Sequence, residues 1–186
     1  MHPIRALKQK PDRFILVFML PLVLLACIGL YGLLSGTAPD TILPSTDGNW
    51  DLQGYDLADG TVQLTGEISC IPDTLLTPEE YATRESEAIL LDDAFPEQYG
   101  TSRLLITLPD DGWYTFSRTS IDYATKLYVN GELLEEIGVV ADHEDTARPN
   151  IGRITFTAKA EGGVVELVQQ SSNFVHRSGG YHGGWL

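Results

Sequence analysis

The sequence predicts an all-β protein: an antiparallel β-sandwich preceded by one transmembrane helix. Three observations carry that prediction. Residues 14–34 form a run of 21 residues without a single charge. Beyond residue 50 the chain breaks into short stretches of period-two alternation, separated by Gly, Asn, Asp and Pro. Those stretches follow one another with no alternating helical segments, the pattern of sheets packed face to face.

The apolar run sits between two regions of opposite charge. The whole chain of 186 residues carries 12 basic and 26 acidic side chains, a net charge of -14. Residues 1–13 hold Arg5, Lys8, Lys10 and Arg13 against Asp12, a net of +3. Everything after Leu34 holds eight basic and 25 acidic residues, a net of -17. As a helix rising about 1.5 Å per residue, the run spans roughly 30 Å, the thickness of a bilayer's hydrocarbon core. The positive-inside rule then keeps residues 1–13 in the cytoplasm as a basic flank, makes 14–34 a transmembrane helix, and places the rest outside the cell membrane. Two other readings stay open. One is a cleaved signal peptide ending near Ser35-Gly36-Thr37-Ala38; the other is a lipoprotein-like box at Leu24-Leu25-Ala26-Cys27. Both also put the body outside. A body this acidic is repelled by phosphate backbones, which argues against nucleic acid as a partner. Two cysteines exclude a disulfide scaffold, and Cys70 is expected to be a small buried apolar residue.

Residues 35–49 are rich in Ser, Thr, Pro, Gly and Asp and read as a linker, leaving 50–186 as the body. Val62, Leu64 and Ile68 fall on one face of the first run, and Leu104, Ile106 and Leu108 on one face of the next. Asp110-Asp111-Gly112 is turn chemistry, after which Trp113 to Arg118 reads as an aromatic strand. Tyr123, Thr125, Leu127 and Val129 alternate up to Asn130-Gly131, whose two residues accept the positive φ of a type I′ hairpin turn. Leu133 to Ile137 returns. Ile154 and Phe156 mark another strand, and Gly162-Gly163 turns the chain into Val164–Gln170. One helix is expected, over about 78–86. Thr77 can cap it, Pro78 suits its first position and Glu80 completes a capping box.

Templates for catalysis are missing: no G-x-S-x-G, no Walker A loop, no H-E-x-x-H and no C-x-x-C. An enzyme is not expected, nor a cofactor or metal. The cluster Asp142-His143-Glu144-Asp145 offers calcium-type oxygens without the regular calcium-loop spacing, so a solvated loop is the simpler reading. His176 and His182 are six apart among glycines, a weak metal pattern. The C-terminal stretch from Ser171 to Leu186 combines Asn173, His176 and Arg177 with Phe174, Tyr181 and Trp185 in a glycine-rich frame. Aromatic faces beside hydrogen-bonding groups are chemistry suited to sugars.

Four blocks occur in order: Leu75-Leu76-Thr77-Pro78-Glu79-Glu80, Tyr99-Gly100-Thr101-Ser102-Arg103-Leu104, Leu127-Tyr128-Val129-Asn130-Gly131-Glu132-Leu133, and Ser172-Asn173-Phe174-Val175-His176-Arg177-Ser178-Gly179-Gly180. Together, over about residues 50–182, they make the chain similar to the extracytoplasmic sensor domains of bacterial seven-transmembrane receptors with diverse intracellular signalling modules. The resemblance implies a galactose-binding-like jelly roll. It also implies a role as a non-catalytic input domain that binds a carbohydrate or small metabolite for a histidine kinase or cyclase output. The chain departs from the family at Asp92-Asp93-Ala94-Phe95-Pro96, where a Pro-Gly-x-Trp stretch is usual. No further membrane-length run follows in the chain, so an output region or signalling partner protein is expected elsewhere. Arg103, Trp113, His176, Arg177 and Tyr181 are the candidate ligand contacts, Arg and His for polar bonds and the aromatics for stacking. The alternative is a surface-tethered carbohydrate-binding or protein-interaction module.

Overall fold

The computed structural model describes residues 19–29, 41–57, 60–91, 98–121 and 123–175. Two units are distinct, one of residues Met1–Ala38 and one of Pro39–Leu186. In the first, residues 19–29 form a helix, α1, whose large apolar side chains are exposed. Eleven residues rise only about 16 Å, and no helix among the described residues is long and apolar enough to cross a membrane. The remainder of the expected span, residues 14–18 and 30–34, lies outside the described residues, as does the basic flank.

The second unit is a β-sandwich. Its main sheet follows the order β5 (Ile89–Leu91), β4 (Ile68–Pro72), β6 (Tyr99–Thr107), β11 (Val164–Ser172), β8 (Ala124–Val129), β9 (Glu132–Ile137). A short β2 (Asn49–Asp51) joins β6 beyond the end of β4, on Leu105–Thr107. Opposite this sheet lie β7 (Trp113–Ile121), paired antiparallel with β10 (Gly152–Lys159), and β1 (Thr41–Pro44), paired with β3 (Val62–Thr65). Most pairings are antiparallel as expected, but β1–β3 and β2–β6 run parallel. Strand β1 and the start of β2 fall inside the stretch expected to be a linker. Ile42 is exposed there, but Leu43 packs against the core, and the two sets of backbone groups satisfy each other.

Alternation fixes which face each strand turns inward. Leu104 and Ile106 of β6, Leu127 of β8, and Val165 and Leu167 of β11 meet Phe116 of β7 and Ile154 and Ala158 of β10 in one core. Each of the larger fully buried side chains contributes about 2–3 kcal/mol. Cys70 is buried in that core as expected, while Cys27 is exposed on α1. The outer face of the main sheet is covered locally by helix α2 (Pro78–Arg84) and the loop before it, through a small cluster of Ile71, Leu76 and Tyr81. The capping box is present: Glu80 N donates to Thr77 Oγ1 at 3.4 Å, and Thr77 N to Glu80 Oε2 at 2.9 Å. The Asn130-Gly131 turn has φ of 47° and 87° at its two residues, the left-handed region a type I′ turn requires. Edge strand β9 carries exposed Glu132, Leu133, Leu134, Glu135 and Glu136.

Candidate functional site

A cleft of about 500 Å³ opens beside β7, between that strand and the segment running from Leu52 into β3. Its floor is Ile106, Leu108 and Phe116; Leu57, Val62 and Leu64 form the opposite wall; Trp113, 72 % exposed, lies on its rim, on the face of β7 opposite Phe116. Besides the indole of Trp113, the polar side chains of the described lining are hydroxyls, those of Thr61, Tyr114, Thr115 and Ser117.

Local bonds hold both walls. Gly163 N donates to Asp111 Oδ1 at 2.6 Å and Ala160 N to Gly112 O at 2.8 Å, so the turn ahead of Trp113 is tied to the β10–β11 turn. Tyr114 Oη donates to Asp110 O at 3.0 Å, and the Ser117 and Thr155 hydroxyls bond at 3.1 Å. Phe116 stacks on Phe156, centroids 5.4 Å apart. On the facing wall, Leu52 N donates to Thr107 O at 2.8 Å, and Trp50 Nε1 to Thr65 O at 3.0 Å. Backbone and side-chain bonds, those of the lining residues Tyr114 and Ser117 among them, thus frame the cleft, and the rest of its lining is mainly apolar.

Of the five candidate contacts, one lines this cleft: Trp113. Arg103 lies elsewhere. On β6 the side chains of Leu104 and Ile106 point into the sandwich, so Arg103 emerges on the other face. There its Nε donates to Glu166 Oε1 at 2.7 Å and its Nη1 to Glu85 Oε1 at 2.6 Å. Its charge is committed to fastening the segment after α2 to the sheet. His176, Arg177 and Tyr181 lie outside the described residues. Phe174, just before them, stacks on Tyr99 at the start of β6, centroids 6.4 Å apart. Tyr99 precedes Ile106 by seven residues on one strand, roughly 23 Å of extended chain. The described chain thus leaves the sandwich far from the cleft.

Sequence reasoning missed the wall made by Leu57, Val62 and Leu64. The signal available was the ten-residue stretch between β2 and β3, too long for a tight turn and flanked by apolar residues. It also missed a buried polar cluster. Arg118 is fully buried on β7 and donates to both Gln169 Oε1 and the Tyr123 hydroxyl, while Gln169 Nε2 donates to Ser171 Oγ at 2.7 Å. Its guanidinium carbon lies 5.5 Å from the Tyr123 ring centroid. The acidic stretch Asp142–Asp145 is an exposed loop, with Asp142 and His143 3.9 Å apart, and no group of three or more metal-ligating side chains occurs among the described residues.

No protein-family model matches the chain. No curated protein matches it either. Among solved structures it is similar to the crystal structure of a selenomethionine-labelled β-glucosidase from Kluyveromyces marxianus. The TM-score is 0.39 at 15 % identity, covering 74 % of this chain and 17 % of that one. The chain thus matches under a fifth of that enzyme's length, and the likeness carries no functional argument.

Proposed function

We propose that this chain is a non-catalytic ligand-binding domain, anchored at the membrane by its apolar N-terminal run and facing outward, which serves as the sensing input of a bacterial signalling receptor. A galactose-binding-like jelly roll is the version of the β-sandwich that this reading favours. The observation that carries it is the cleft beside Trp113. About 500 Å³ of space lined mainly by apolar residues is costly to leave in water and suited to hold a small ligand. The described lining offers hydroxyls and no carboxylate, imidazole or thiol, which supports binding over hydrolysis. Signalling would follow from unequal affinity of the ligand for two arrangements of domain and membrane segment.

The test is a thermal-shift screen of carbohydrates and small metabolites on the full chain and on Trp113→Ala. Compounds that raise the melting temperature of the first and not the second are expected. Compounds that stabilise both equally would remove the cleft as the binding site. A second reading, a protein-interaction module, is favoured by Leu133 and Leu134 exposed on the edge strand β9. Pull-down with a partner that Leu133→Lys abolishes and Trp113→Ala spares would select it.

A further inference from the structure

We infer that the outer face of the β7–β10 pair is a docking surface for an acidic polysaccharide, a chain of sugar rings bearing carboxylates laid along the strands. This face goes beyond the small-ligand reading and is separate from the cleft, whose lining contains no residue of β10. Alternation decides which side chains it holds. Tyr114, Phe116 and Arg118 of β7 turn toward the interior of the sandwich, as do Ile154 and Ala158 of β10. The register then sets the outward residues opposite one another: Trp113 with Lys159, Thr115 with Thr157, and Ser117 with Thr155. Arg153 is exposed at the other end of β10, at the irregularity between Gly152 and Ile154.

The charge of this face runs against that of the body. Residues after Leu34 carry a net -17, yet the described outward positions of β7 and β10 hold two cations and no carboxylate. Other basic side chains of the body are committed: Arg84 to Glu87, Arg103 to Glu85 and Glu166, Lys126 to Glu136, Arg148 to the Ala147 carbonyl, and Arg118 to buried neutral acceptors. Arg153 and Lys159 are exposed, and among the described residues their side chains make no ion pair or hydrogen bond. That holds even though Asp110, Asp111 and Glu161 lie in the turns at the Lys159 end. Trp113, 72 % exposed, gives the same end a flat face on which a sugar ring can stack. Between the ends, Thr115 and Thr157 present exposed hydroxyls that suit those of a sugar.

Dimensions and charge density select the occupant. Lys159 and Arg153 are six residues apart, roughly 20 Å of strand, a span for several linked rings rather than one small molecule. Two cations so far apart match a chain of sparse charge, not a nucleic-acid duplex with one charge per about 1.7 Å. An anionic bilayer would press on the acidic remainder of the body as well, and the face offers hydroxyls in place of the apolar side chains that enter lipid. A thin chain lying along β10 escapes most of that repulsion, because physiological salt limits its reach to about 8 Å.

The full chain in phosphatidylcholine nanodiscs is titrated by calorimetry with tetragalacturonate, with its methyl ester (the same rings without charge) and with hexaglutamate. Tetragalacturonate is expected to bind saturably and more weakly as salt rises, the ester and hexaglutamate at least about tenfold more weakly. Trp113→Ala should cost at least about tenfold in affinity, and Lys159→Glu and Arg153→Glu about five- to tenfold each. All three positions are exposed, so the melting temperatures should match that of the parent chain. Arg153 and Lys159 lie outside the cleft, so small-molecule thermal shifts should be unaltered in their variants, and the two readings fail separately. No binding of tetragalacturonate, equal binding of the ester, or an affinity indifferent to Trp113→Ala or to both charge reversals would overturn the inference. Hexaglutamate bound as tightly would make the face a peptide site and overturn it too. So would a blue shift of Trp113 emission, taken as the difference from Trp113→Phe, in phosphatidylglycerol nanodiscs that Lys159→Glu removes, since that would assign the face to the bilayer.

Discussion

The guanidinium of Arg118 on β7 donates to the side-chain oxygen of Gln169 on β11, joining the two layers of the sandwich through their interior. Both side chains are fully buried. A charge in that position is tolerated because neutral acceptors and the Tyr123 ring surround it. Removing one partner leaves the other desolvated. Gln169→Leu and Arg118→Met are each expected to lower unfolding free energy by about 2–4 kcal/mol. The double variant should lose less than the sum, because the second change removes a group already stranded by the first. Urea unfolding of the four proteins measures this, and strict additivity would show that the two side chains act independently.

Tyr81 gives the fold an alkaline limit. Burial pushes its hydroxyl from 10.0 up to about 12, against the opposing effect of its 2.9 Å hydrogen bond with Ser69. Below pH 10 both folded and unfolded chains hold the proton, and the stabilisation is complete. Between pH 10 and about 12 the unfolded chain gives up its proton and the folded chain keeps it, so stability falls as pH rises. The loss across that window is on the order of 2–3 kcal/mol. Denaturation curves at several pH values should show Tyr81→Phe less stable at neutral pH but markedly flatter above pH 10. Parallel curves for the two proteins would assign the alkaline loss to other groups.

Gly131 and Gly138 separate backbone strain from collision. Both have positive φ, 87° and 73°. A Cβ at Gly131 would meet nothing within 4 Å, whereas one at Gly138 would come within 2.2 Å of the Arg148 carbonyl oxygen. Gly131→Ala is therefore expected to cost about 1 kcal/mol, from conformation alone. Gly138→Ala should cost at least about 2–3 kcal/mol, since it also forces apart the bridge between Val139 and Arg148. Thermal unfolding of both variants gives the comparison, and equal costs would refute the collision.

Arg103→Ala removes two ion pairs and no cleft contact. Glu85 is 61 % exposed and Glu166 30 %, so the cost should be modest, about 1–2 kcal/mol. Part of that difference should vanish in 1 M salt, where exposed charges are screened. The melting-temperature rise given by compounds that bind the cleft should be unaltered, and its loss would place Arg103 back in the binding site.

What the sequence revealed and what it concealed follow from the range of the interactions involved. The capping box at Thr77 and Glu80 and the turn at Asn130-Gly131 are set by neighbours a few residues apart, so both can be read directly. The alternation through Leu104, Ile106 and Leu108 marks the inner face of β6 for the same reason. The parallel pairing of Thr41–Pro44 with Val62–Thr65 leaves no such trace, because its partners stand 21 residues apart in the chain. Arg103 looked like a ligand contact because its partners stand 18 and 63 residues away. Trp113 was singled out for its chemistry, but its cleft comes from chain segments that only folding brings together. Arg118 follows Tyr114 and Phe116 at period two, a signal of an inward arginine that sequence reasoning missed.

The last strand of the main sheet, β9, has two leucines set between glutamates: Glu132 on one side, Glu135 and Glu136 on the other. Its middle is greasy enough to invite another strand alongside. Two identical molecules meeting there edge to edge would bring carboxylate against carboxylate before any leucine touched. The seam is thus better suited to a visitor of different charge than to a second copy, all the more because only Glu136 of the three has a lysine, Lys126, beside it among the described residues.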